Sequence, residues 1–384
     1  MSNSVIRLFR GVSLMLVMLF TGSAFALEPI RIGAFLAVTG PASYLGEPEL
    51  ETLQLYIDKL NAAGGVLGRK LELIHYDTQG KAGEARTAVK RLILQDKVDM
   101  LIGGSTSGSS MAVIPLVERA QIPLISLAGA GAIVDPVKPW VFKTPHTDRM
   151  AVAKVFSHMR DQGMQRIALI SGRGGFGRSG RRQALDQAEQ YGIQIVADEM
   201  YKPRALQVDR QLNAIEAAGD IDAVFNIGFG EGPVMVTRQV RAQFGTIPLY
   251  QSHGVASARY IELSGQAAEG VRLPAAPLLI SEQLPLGSRQ QNVLSALQYA
   301  YQSRYQRQIS AFGGHAYDAL MLFVQAVRDA QTLNPFAIRH ALERIRGYVG
   351  TGGVVNMSPE DHLGLGLDSF KMLEIRGGQW VLAE

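Results

Sequence analysis

Short apolar runs alternate along the chain with longer stretches whose apolar positions recur every three or four residues. Runs of the first kind fill strands buried on both faces of a parallel sheet; stretches of the second kind form one face of an amphipathic helix. The pattern predicts strands over 30–38, 70–76, 98–102 and 122–126, with helices over 48–61, 83–95 and 109–120 between them. After Trp140–Pro145 the rhythm starts again, with helices over 150–162, 179–191, 208–218 and 233–244 and strands over 166–171, 193–197, 223–227 and 248–251. Strands and helices that alternate in this way imply doubly wound parallel sheets, here two similar α/β lobes. Helices over 290–305, 314–330 and 335–344 read as a return to the first lobe, and 369–375 with Trp380 and Val381 as a terminal hairpin.

The stretch 97–131 carries the first chemical signal. A buried strand ends at Gly103-Gly104, and a hydroxyl cluster, Ser105, Thr106, Ser107, Ser109 and Ser110, opens the next helix. The following strand ends in Ala128-Gly129-Ala130-Gly131. Two small-residue loops therefore reach one edge of the sheet, beyond the carboxyl ends of the strands, where open α/β sheets bind ligands. Helix N-termini at that edge favour an anion, and hydroxyls suit a carboxylate. The same residues, Ser107 to Ser109, are also candidate helix N-caps, and spacing alone leaves both readings open.

Residues 1–26 read as a cleaved export signal: Arg7 and Arg10, an apolar run over 11–22, then Ala24-Phe25-Ala26. That run is short for a bilayer span of about 20 residues. Loss of the two arginines lowers the formal charge of +4 by two and leaves a mixed surface without a basic block, which argues against nucleic acid as a partner. The chain has no cysteine, which excludes disulfides, thiolate metal sites and a cysteine nucleophile. The remaining length is enough for two domains.

Other chemistries find little support. Gly172-Arg173-Gly174-Gly175-Phe176-Gly177 fits G-x-G-x-x-G between a strand and a helix, and Asp198 follows at the end of the next strand. Alone it would suggest a dinucleotide, but an exported protein is a poor place for a nicotinamide cofactor. Arg178, Arg181 and Arg182 are explained as a solvated helix face. No G-x-S-x-G elbow occurs, and His75, His146, His253, His315, His340 and His362 show no metal spacing. Asp361-His362 reads as an acid–base pair or as a structural turn. We expect no catalytic constellation, no metal and no cofactor.

Six stretches in order carry a family resemblance: Ile32-Gly33-Ala34 with Thr39-Gly40-Pro41 and Tyr44-Leu45-Gly46, then 61–70 (NAAGGVLGRK), Tyr76-Asp77 and 102–107 (IGGSTS). Together they resemble the periplasmic substrate-binding proteins of ABC importers for branched-chain amino acids, and the likeness covers nearly all of the chain after residue 26. The resemblance implies a type I periplasmic binding protein fold, two α/β lobes joined by three hinge strands and closing on a ligand. It places lobe 1 at 27–146 and 278–355 and lobe 2 at 147–277 and 356–384. It also implies a periplasmic location, a membrane permease as partner and, as we expect, a monomer.

Residue by residue, the resemblance puts Ser107 where a hydroxyl holds the ligand carboxylate, with Ser105 and Thr106 in the same loop. Ala128 falls where a backbone carbonyl accepts an ammonium proton, beside Gly129, and Ala130 replaces a threonine. Tyr44 covers the side-chain pocket. Phe176 and Phe229 stand where tyrosines are frequent, and His253 stands where an acidic residue pairs with the ammonium of an amino acid. A buried ammonium without that partner costs several kcal/mol, whereas a histidine can donate to a carboxylate, hydroxyl or phenol. These departures imply a small organic acid with an apolar or aromatic body, enclosed by Tyr44, Phe176 and Phe229; the 312–319 stretch and the Asp361-His362 turn resemble branches of the family linked to aromatic acids. Two alternatives stay open: an amino-acid binder whose acid has shifted to Glu231, with the aromatics serving only as packing, and a ligand sensor of the same fold.

Overall fold

The computed structural model describes residues 27–202 and 205–383; the export signal read in residues 1–26 lies outside the described residues. The first sheet contains β1 (Ile30–Leu36), β2 (Leu71–Asp77), β3 (Met100–Gly103), β4 (Leu124–Ser126) and β5 (Val141–Lys143). All are parallel, in the order β2-β1-β3-β4-β5. Helices α1 (Ser43–Ala62), α2 (Ala82–Leu94) and α3 (Ser107–Ala120) make the crossovers. The residues of β1 other than Arg31 explain its apolar run. Ile30, Ile32, Ala34 and Leu36 meet α1 on one face, while Phe35 packs with Val89 of α2 and Val113 of α3 on the other.

The second sheet repeats that order. After α4 (Asp148–Asp161) come β6 (Arg166–Gly172), α5 (Gly175–Gln187), β7 (Gln194–Tyr201), α6 (Asp209–Ala217), β8 (Ala223–Ile227), α7 (Glu231–Phe244), β9 (Leu249–Gln251), α8 (Ala258–Ser264) and β10 (Arg272–Ala275). The chain then returns to the first lobe as α9 (Arg289–Tyr305), α10 (Ala311–Ala330) and α11 (Pro335–Glu343), and α10 completes the core over β1 with Leu320, Phe323 and Val327. A short pair, β11 (Tyr348–Val349) and β12 (Val354–Val355), precedes β13 (Lys371–Arg376) and β14 (Gln379–Leu382). These last two strands add antiparallel beyond β10, giving β14-β13-β10-β9-β8-β6-β7.

The chain passes between the sheets three times: after β5, after β10 and before β13. The crossings are tied to one another and to α10. The Lys143 amide donates to the His362 carbonyl at 3.1 Å, the Thr144 hydroxyl donates to the His315 carbonyl at 2.9 Å, and His146 Nε2 lies 3.0 Å from Ser369 Oγ. His362 stacks on Phe142 and His146 on Phe370, each at 4.0 Å between centroids. Asp361 accepts the amides of Leu363 and Gly364, so Asp361-His362 is a structural turn rather than an acid–base pair.

Several boundaries differ from expectation for local reasons. Helix α1 begins at Ser43 instead of 48 and contains Pro48; it starts early because Gly46 lets it lie on Ala37, where a Cβ would sit 2.4 Å from the Ala37 carbonyl oxygen. Helix α3 begins at Ser107, and its cap is Thr106, not Ser107 to Ser109. Helix α5 begins at Gly175, inside the glycine-rich segment. There the glycines serve close packing: a Cβ on Gly177 would meet the Gly172 carbonyl oxygen at 1.9 Å. The Asp198 carboxylate is held by both Arg181 nitrogens and is not free for a ribose. Gly177→Ala should therefore destabilise the fold by about 1–3 kcal/mol through overpacking; a urea midpoint equal to the parent's would show that the turn has room.

Candidate functional site

The hydroxyl loop owes its shape to Gly103. Its φ of +138° suits glycine, and a Cβ there would lie 2.6 Å from the Phe35 carbonyl oxygen. Beyond it the three hydroxyls have separate tasks. Ser105 Oγ accepts the Ala37 amide at 2.9 Å and donates to Glu49. Thr106 Oγ1 caps α3 by accepting the Ser109 amide at 3.2 Å and bonds Ser109 Oγ at 2.9 Å. Ser107 Oγ accepts the Ala130 amide at 3.2 Å, which leaves its own proton to donate. Ser105 and Thr106 line the site, but their hydroxyls are engaged within the first lobe.

A cavity closes where the two lobes meet. The first lobe contributes Leu45, the Ser105–Ser107 loop, Leu127, Gly129 and Pro145; the second contributes Phe176, Phe229, His253 and Gly254; α10 adds Phe312 and His315. Phe176 stands edge-on to Phe229 at 6.4 Å and to His253 at 5.2 Å. Among the described residues, no aspartate or glutamate lines the space. Its volume is about 40 Å³, room for roughly three water molecules, so a branched or aromatic body enters only as the lobes part.

Of the residues singled out in the sequence, Ser105, Thr106, Ser107, Gly129, Phe176, Phe229 and His253 come together around this cavity. Tyr44, Ala128 and Ala130 do not line it. The Tyr44 hydroxyl accepts the Gly230 amide at 2.6 Å and reaches the Gly254 carbonyl at 3.3 Å, so it bridges the lobes, and its ring meets Phe312 edge-on at 5.7 Å. The Ala128 amide turns to Ser126 Oγ at 3.3 Å, and the Ala130 amide is the group that orients Ser107. Glu231 is exposed and faces a separate groove with Tyr44 and Gly230. The lobes approach closely at Gly129: a Cβ there would be 2.6 Å from His253 Nε2 and 2.9 Å from Phe176.

Four residues that shape the site were not selected from the sequence. Phe312 and His315 lie in a stretch noted only for its likeness. Lys143 and Glu49 gave a clearer signal, since each is a charged residue on an apolar face. Lys143 is fully buried, and its ammonium donates to the Pro145 carbonyl at 2.7 Å and the His146 carbonyl at 3.4 Å, with the Gly129 carbonyl at 3.5 Å. Burial pushes it down to about 7, and the charge of Asp148 opposes that shift. Glu49 is also fully buried, and burial raises its carboxyl well above the usual range despite the bond from Ser105. His253 and His315 are pushed down to about 3, chiefly by burial and further by the charge of Lys143. The site is thus neutral at its imidazoles and at Glu49, and behind it lies Lys143, about half charged near pH 7 and beside Asp148.

Comparisons with known proteins fit this geometry. Residues 29–378 match the family model described as periplasmic binding protein. The chain is 24% identical over 245 residues to a Leu/Ile/Val-binding protein homolog 7 of Brucella melitensis, a match that spans 59% of either chain. It is 23% identical over 345 residues, 89% of either chain, to a leucine-, isoleucine-, valine-, threonine- and alanine-binding protein of Pseudomonas aeruginosa. Among solved structures, an extracellular ligand-binding receptor from Rhodopseudomonas palustris HaA2 superposes with a TM-score of 0.86 at 25% identity, covering 92% of this chain and 99% of that one. The branched-chain amino acid substrate-binding protein LivJ of Streptococcus pneumoniae, in complex with isoleucine, shares the fold at TM-score 0.81 and 21% identity, covering 93% of this chain and 99% of that one.

The buried imidazoles set a pH dependence. A histidine held at about 3 in the fold and near its ordinary 6.5 when unfolded binds its proton more tightly in the unfolded state. Its contribution to stability is therefore complete above pH 6.5 and is lost as the pH falls from 6.5 toward 3. In urea unfolding at pH 7, 6, 5 and 4, His253→Phe should show a shallower loss of stability than the parent. Parallel pH profiles for the two proteins would mean that His253 is hydrated in solution.

Proposed function

Since the chain belongs to the periplasmic binding protein family, we propose that it is the exported solute-binding component of an ABC importer. In this reading it captures a small carboxylate that lacks an ammonium group and has an apolar or aromatic body. The observation that carries the reading is the lining of the interlobe cavity. Ser107 offers a free hydroxyl proton at the N-terminus of a 14-residue helix, three phenylalanine rings surround the space, and no acid lines it. A carboxylate is stabilised by that helix end and by the hydroxyl.

A zwitterionic amino acid fits the same cleft poorly. Its ammonium would face neutral imidazoles with Lys143 behind them, and the acids around the cleft give no counter-charge: Asp148 is taken up by the Gly131 amide and the charge of Lys143. Glu231 is exposed and outside the cavity; Glu49 lies behind Ser105, held neutral by burial. An unpaired buried ammonium costs several kcal/mol, equivalent to several decades of affinity.

The mechanism is hinge closure in the periplasm. The ligand docks first on the Ser105–Ser107 loop, after which Phe176, Phe229 and His253 swing over it. Tyr44 then locks the lobes through Gly230 and Gly254, and the closed form engages the permease. Ligand addition should shrink the radius of gyration in solution scattering, and an unchanged value would rule closure out. By calorimetry, Ser107→Ala should weaken carboxylate binding by roughly 1–3 kcal/mol, the cost of an acceptor left unpaired. Gly129→Ala should weaken every ligand, because its methyl group would collide with His253 at closure; full affinity in that variant would place the lobes further apart than the geometry described here.

A further inference from the structure

Two imidazoles that close the cavity have nothing to bond. His253, in the turn after β9, has neither Nδ1 nor Nε2 paired, and His315, in the second turn of α10, has Nδ1 unpaired. They are 8% and 6% exposed. Buried polar atoms without partners are uncommon and expensive, and packing does not explain these. His253 touches Phe176 and Phe370 only through ring edges, so its nitrogens are not needed for those contacts. Neither histidine has a part in holding a carboxylate at Ser107.

The chemistry of a neutral imidazole restricts what can satisfy it. It offers one N–H and one lone pair. Because these lie on opposite sides of a ring, a hydroxyl group, donor and acceptor at once, takes the N–H of one imidazole and gives its proton to the lone pair of the other. A second carboxylate would use only the N–H groups and would leave the lone pairs without a donor unless each ring took up a proton beside Lys143. An ammonium would use only the lone pairs and would meet the Lys143 charge. The ammonium of Lys143 itself is turned away, toward the carbonyls of Pro145, His146 and Gly129.

We propose that the ligand is a hydroxy acid, bound by its carboxylate at Ser107 and by a distal hydroxyl at His253 and His315. The proposal rests on the carboxylate reading above and adds the second polar group. Burial and the neighbouring Lys143 keep both rings neutral at physiological pH, the state in which they pair with a hydroxyl.

The test is calorimetry on the purified protein with acids that differ by one hydroxyl: benzoate against 3- and 4-hydroxybenzoate, and butanoate against 4-hydroxybutanoate. At least one hydroxylated acid should bind tenfold or more tightly than its parent, with a heat that does not vary with the ionisation enthalpy of the buffer. In His253→Phe and in His315→Phe the gap between the two acids should close to threefold or less. Equal binding of each pair by the parent protein overturns the proposal without using any variant, and so does a preference that survives both substitutions. Tighter binding of a dicarboxylate with proton uptake overturns it in favour of a second anion site. Each of these outcomes leaves the carboxylate reading standing; binding of leucine or valine with no response to any of the acids removes both.

Discussion

One buried ammonium sets the terms for the cleft. Lys143 ends β5, where the chain first crosses between the lobes, and it is wholly enclosed. Its donors go to carbonyls of the crossing segment and of the β4 loop, so the bend of the hinge and the position of Gly129 are fixed by the same group. Burial is the main reason that His146, His253 and His315 resist protonation, and the charged form of Lys143 adds to it. That charge also disfavours any ligand that brings a second cation into the cleft and favours one that brings an anion. Ligand charge and hinge geometry thus meet at one side chain, which also adds to the effect of burial on the imidazoles.

The remainder of the site follows from how polar groups are shared out. Three adjacent hydroxyls look equivalent in a sequence, yet the structure commits Ser105 to Ala37 and Glu49 and Thr106 to the helix cap, and of the three leaves Ser107, which lines the cavity, with a proton still to donate. On the opposing lobe the contacts are rings and bare backbone: Phe176 and His253 close on Gly129, and the Tyr44 hydroxyl clamps Gly230 and Gly254. Polar groups on one side and aromatic groups on the other give a cleft that orients an acid and encloses its apolar end.

Much of the fold was legible because parallel strands buried on both faces must be apolar throughout. Strand 223–227 falls where the pattern put it, and the two sheets repeat one order. Helix starts were harder to read. Pro48 and the glycines before Phe176 look like turn residues, but Gly46 and Gly177 permit close contacts with Ala37 and Gly172 that no local pattern announces. For the site, residues on the expected loops were found, whereas those from distant segments were not. Lys143, Glu49, Phe312 and His315 come from three separate elements, β5, α1 and α10, and only the folded chain brings them to one place. Conversely, Tyr44, Ala128 and Ala130 fall just outside the cavity, because in this arrangement their polar groups serve lobe contacts and loop geometry.

The most direct measurement is a thermal-shift comparison of acids with the amino acids of the same skeleton, 4-methylpentanoate beside leucine and 3-phenylpropanoate beside phenylalanine. A ligand at a hundred times its dissociation constant stabilises the fold by about 2.7 kcal/mol, enough for a visible shift. Melting should rise with an acid and not with its amino-acid counterpart. A rise with leucine or phenylalanine and none with the acids would mean that the cleft supplies an ammonium partner, and that Lys143 does not govern ligand charge.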